Sequence, residues 1–125
     1  MKNTKPRNVL TMEDWASWPQ RARYDAQRSL YASPMTVRSA CIEMQVLGSR
    51  SLKDKRSVIK SMIAKVKHRY SIAIAEVGHQ DNYHLAALGI AVVSGEADHA
   101  ADYLETVIRF IELDDRVEIT SINRN

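Results

Sequence analysis

With 125 residues, 45% of them apolar, the chain suits one domain built around one core. Its single cysteine, Cys41, excludes an internal disulfide and a cysteine-rich zinc site, which fits a reducing compartment. The net charge of +3 conceals a dipolar layout: residues 49–70 carry eight basic groups against Asp54, whereas residues 96–118 carry eight acidic groups against Arg109 and Arg116.

Residues 1–34 hold all three prolines and both tryptophans, and they show no long periodic apolar pattern. Thr11 is placed to cap a helix with Asp14 in its first turn; Pro19 interrupts it, and the pattern resumes in "QRARYDAQRSLY". This segment reads as an N-terminal extension, partly helical or disordered. Met35 follows Pro34 and opens a regular domain over residues 35–125, a placement that also admits Met35 as the biological start. The N-terminus lacks a long apolar stretch of the secretory type, and no run of about 18 apolar residues exists, so neither a signal peptide nor a membrane span is expected. The expected location is the cytoplasm.

From Met35 onward the elements follow one another cleanly. "TVRSACIEMQV" alternates, with Ala40, Ile42, Met44 and Val46 on one face and Cys41, Glu43 and Gln45 on the other, as in a half-buried strand. "LKDKRSVIKSMIAKVKHRY" is a helix whose apolar stripe includes Leu52, Ile59, Met62, Ile63, Val66 and Tyr70. "SIAIAEV" is a strand, "GHQDN" a turn, and "YHLAALGIAVVS" a nearly all-apolar strand suited to the middle of a sheet. "GEADHAADYLETVIRFIEL" is a second helix, burying Ala97, Ala100, Leu104, Val107, Ile108 and Ile111, with Glu96 and Asp98 in its first turn. "RVEITSI" is the last strand. The order βαββαβ predicts an α+β, ferredoxin-like fold: a four-stranded antiparallel sheet with two helices on one face.

"SLKDKRSVIKSMI", "AIAEVGHQD" and "LGIAVVS", at their mutual spacing, resemble the YlxP-like family, a bacterial domain of unknown function. The resemblance covers roughly residues 36–122. It implies the same ferredoxin-like fold and a genomic association with translation factors in many bacteria, and it implies no established reaction. It also implies an aromatic near the start of the third strand, where Tyr83 stands; Asn82 beside it is more polar than that pattern implies.

The basic helix invites two readings. Lys53, Arg56, Lys60 and Lys67 share one stripe beside the apolar arc, and such a stripe can track a phosphate backbone in RNA or a ribosomal particle. The same stripe also suits basic side chains that reach from the edge of the core into water, or that pair with the acidic second helix. Lys55 differs, because it points toward the apolar side. Antiparallel docking of the helix on the second strand brings Lys55 and Arg56 toward Glu76, with His79 and Asp81 rimming the same edge. That corner is either a structural pair or a small polar ligand or metal site.

Glu76, His79, Asp81 and His84 lie within nine residues, but no HxxxH or CxxC pattern accompanies them, so no metal ligand is assigned. His79 lacks a nucleophile other than loop serines, so no catalytic residue is assigned. The glycines are isolated and form no phosphate loop, so no cofactor is expected. Three classes of function follow: a non-enzymatic module for RNA or ribosomal particles, a structural protein or oligomer joined through the open sheet face, or an enzyme, small polar ligand or metal site at the Lys55–Glu76–His79 corner.

Overall fold

The computed structural model describes residues 16–23 and 35–125. The chain divides into two units, Met1–Pro34 and Met35–Asn125. In the first, residues 16–17 form a tight turn and residues 20–23 a single helical turn, in which the Arg23 amide donates to the Pro19 carbonyl at 3.0 Å. A helical turn thus begins just after Pro19. The expected cap at Thr11, and the rest of the extension, lie outside the described residues.

The second unit runs β1 (Thr36–Val46), α1 (Leu52–Arg69), β2 (Ala73–Gly78), β3 (Leu85–Ser94), α2 (Ala97–Glu112) and β4 (Val117–Arg124). Its sheet is antiparallel throughout, in the order β2-β3-β1-β4, which is the ferredoxin-like arrangement. The two richest apolar alternations, β1 and β3, occupy the centre because only central strands bury one face completely without a free edge.

Alternation sets which face packs against the helices. Ala40, Ile42, Met44 and Val46 of β1 and Ala86, Leu88, Ile90 and Val92 of β3 pack against Ile59, Met62 and Val66 of α1 and Leu104, Val107, Ile108 and Ile111 of α2. Both helices therefore cover one side of the sheet. Tyr70 joins them, with its ring edge-on to Tyr103 at 5.9 Å and to Phe110 at 5.4 Å. Two sequence expectations on α2 change: Ala97 is exposed, and Glu96 is the N-cap, without a side-chain capping bond, rather than a first-turn residue.

The opposite face of the sheet carries small residues. Cys41 lies opposite Gly89, which lies opposite Ala75. The approach there is close: a Cβ at Gly89 would sit 3.0 Å from Val77 Cγ1. Val77 reaches it because β2 bulges, so that Glu76 opposes Leu88 and Gly78 already opposes Ala87.

Candidate functional site

The site begins at the first turn of α1. Ser51 caps the helix: its hydroxyl accepts from the Asp54 amide at 3.1 Å, and the Asp54 carboxylate accepts from the Arg50 amide at 3.1 Å. This reciprocal cap fixes the helical phase, and the phase turns Lys55 inward.

Lys55 is fully buried. Its ammonium donates to the His79 carbonyl at 2.7 Å and to the Leu85 carbonyl at 3.1 Å, and it lies 3.0 Å from Glu76 Oε2. Two hydrogen bonds and one opposite charge surround it, which is what makes a buried ammonium tolerable. The approach to Glu76 lacks hydrogen-bond alignment, so this buried oxygen is held by charge alone. His79 and Leu85 are the two feet of the β2–β3 connection. One lysine thus ties the start of α1 to both ends of that loop.

The connection is braced a second time. Its backbone takes a left-handed conformation at His79, with φ of 57°. The Asn82 amide donates to the His79 carbonyl at 3.0 Å, and the Asn82 side-chain oxygen accepts from the amides of His84 at 2.8 Å and Leu85 at 3.0 Å. Val46 at the end of β1 donates its amide to the His84 carbonyl at 2.7 Å.

The residues singled out from sequence separate into two groups. Lys55 and Glu76 come together, and Lys55 rather than Arg56 takes the carboxylate. His79 joins through its main-chain carbonyl; its imidazole turns toward Glu43, 3.9 Å away, and leaves the corner. Asp81 is exposed on the loop. Among the described residues, no three His, Cys, Asp or Glu side chains converge as metal ligands would.

Lys53, Arg56, Lys60 and Lys67 are all exposed. The first three line one groove of about 500 Å³ with Ser57, Ile59, Ile63 and Glu76. Among the described residues none of the four forms an ion pair, so the pairing with acidic α2 expected as one alternative does not occur along this stripe. Two carboxylates at and beyond α2 pair with other arginines. Arg124 binds Glu105 through two nitrogens at 2.7 and 2.9 Å, and this holds the Glu105 carboxyl below the usual glutamate range. Arg116 grips Asp114 at 2.9 and 2.7 Å and donates to Ser61 of α1 at 3.2 Å; its guanidinium keeps the Asp114 carboxyl below the ordinary aspartate range. Neither ion pair was singled out from sequence. The adjacency of Asp114 and Arg116 in a turn was the available signal.

Fold and site define a small ferredoxin-like α+β domain with a buried lysine corner and a basic groove on its first helix. Residues 37–124 match the family described as Protein of unknown function (DUF503), and the chain belongs to that family. It is 32% identical over 78 residues to the Uncharacterized protein YlxP of Bacillus subtilis, covering 62% of this chain and 85% of that protein. Among solved structures it is similar to the de novo designed protein Foldit4, with 16% identity and a TM-score of 0.44 over 72% of this chain and 97% of the other. No helix among the described residues is long and apolar enough to cross a membrane.

Proposed function

We propose that the protein is a non-enzymatic module that associates with RNA, free or in ribosomal particles, by laying phosphates along α1. The observation that carries this reading is the groove lined by Lys53, Arg56 and Lys60. The Lys55–Glu76 pair neutralises the one acid in its wall, so those three cations set its charge. Lys67 continues the stripe two turns further along the helix. Unpaired exposed cations of this kind contribute little to stability and leave their full field to a polyanion.

The test is a titration of labelled RNA at several salt concentrations, against the chain with Lys53, Arg56, Lys60 and Lys67 all changed to Ala. Affinity should fall, and the slope against log salt should flatten by about 0.7 to 0.9 for each phosphate that is no longer neutralised. Unchanged strength and slope would reduce the stripe to a solvated face. Capture from lysate with and without nuclease separates RNA-dependent partners from proteins.

A second reading has its own support. The uncovered sheet face exposes Val37, Val77 and Val93 at 52%, 57% and 65%, around the small residues Cys41, Ala75 and Gly89. Self-association through that face predicts a solution mass above one chain, and a monomeric mass would discard it.

A further inference from the structure

The loop that Lys55 holds carries an exposed aromatic pair. Tyr83 is 41% exposed, and its ring centroid lies 4.2 Å from that of His84. Among the described residues the Tyr83 hydroxyl has no hydrogen-bond partner, so no polar contact accounts for the ring's place at the surface. The loop beneath it does not need that ring for its shape. It is fixed by Lys55 at both feet, by Asn82 from within and by Val46 from β1. A large planar group on a braced loop loses little freedom when something stacks on it.

The surroundings select what stacks. Lys55 is bonded to both feet of the loop, and its chain neighbours one and two residues away on α1 are Arg56 and Lys53, the first cations of the basic groove. An aromatic on the loop and cations on the helical turn bonded to it make the combination that single-stranded nucleic acid uses, with bases on rings and backbone on charges. Asp81 is the one carboxylate on the loop itself, and it disfavours a strand crossing the loop tip.

We propose that Tyr83, flanked by the His84 ring tilted 40° to it, is a stacking platform for an unpaired nucleobase of an RNA whose phosphates lie on Lys53 and Arg56. The proposal rests on the RNA reading above and adds the strand state: the ligand is single-stranded at this end of α1. Stacking is planar and nearly independent of salt, whereas the groove is electrostatic, so the two parts separate by experiment.

The full chain is titrated with labelled oligouridine and with a labelled RNA duplex of equal length, at low and moderate salt. Tyr83→Ala and Tyr83→Leu should weaken oligouridine binding by about 5- to 100-fold while leaving its salt slope and the duplex affinity unchanged. Tyr83→Phe should bind as the parent does, and Asp81→Asn should bind oligouridine more tightly. Circular dichroism confirms that each variant is folded, and Tyr83→Leu keeps apolar bulk at the loop if Tyr83→Ala does not fold. Oligouridine binding that survives both substitutions, or a loss equal on duplex and single strand, would overturn the platform and leave the groove standing. Failure of the parent chain to bind either RNA would overturn both readings.

Discussion

Replacing Lys55 by Met should destabilise the domain by about 3–4 kcal/mol. Methionine nearly matches the side chain in length, so little cavity forms, and the cost is electrostatic. Breaking a buried ion pair by removing one partner costs about 3–5 kcal/mol, because the remaining charge is stranded. Glu76 keeps 20% of its side chain accessible, which moves its share toward the lower end. The carbonyls of His79 and Leu85 lose a charged donor, at a net cost of about 1 kcal/mol each, and the added apolar burial offsets part of this. Against a typical total of about 5–15 kcal/mol the loss is large. Urea unfolding followed by circular dichroism measures it. Changing Glu76 to Leu in the Lys55→Met background removes the stranded charge and should recover roughly half of the loss, since the two carbonyls still lack that donor. A Lys55→Met variant within about 0.5 kcal/mol of the parent, or a double variant no better than the single, would refute the corner as an energetic lock.

Three further outcomes follow from the same geometry. The fragment Met35–Asn125, which holds the whole βαββαβ unit, should unfold cooperatively when expressed alone; an aggregated or unfolded fragment would show that residues 1–34 complete the core. Gly89→Ala brings a methyl group to 3.0 Å from Val77 Cγ1, so it should be better tolerated in urea unfolding when Val77→Ala is added than when it stands alone; equal effects in both backgrounds would show that Val77 simply moves aside. Asp114→Asn should cost about 1 kcal/mol at neutral pH, discounted because Arg116 is more than a third exposed. Since the folded carboxyl titrates below its unfolded value, that contribution is complete above about pH 3.9 and is lost as pH falls further, so parent and variant melts should converge in acid.

Much of this structure is written in side-chain periodicity. The alternation of Ala40, Ile42, Met44 and Val46 specified β1 and its buried face, and the continuous apolar run in β3 specified a central strand. The helical phase from Leu52 also made Lys55 inward-facing, since a lysine on the apolar arc has nowhere else to go. Its partners were legible only in part. Glu76 shares its sheet face with Ile74 by parity, but the carbonyls of His79 and Leu85 belong to the backbone, which every residue has, so no residue type marks them. The bulge at Val77 was hidden for a related reason. It moves register by one residue on an edge strand whose exposed positions, Ala73 and Ala75, carry little pattern. The Asp114–Arg116–Ser61 connection joins a turn to a helix more than 50 residues earlier, and nothing local announces such a partner.

The burial of Lys55 also divides the lysines of α1 into two chemical populations. Lys53, Lys60, Lys65 and Lys67 present their amines to solvent, and an acylating reagent meets them at a rate set by its own chemistry. The Lys55 amine is held by two carbonyls and a carboxylate and has no accessible surface, so it reacts only in molecules where the first turn of α1 has parted from the β2–β3 loop. Its labelling rate, relative to its neighbours, is therefore a clock for that opening, built into the native sequence and read by mass spectrometry without any substitution.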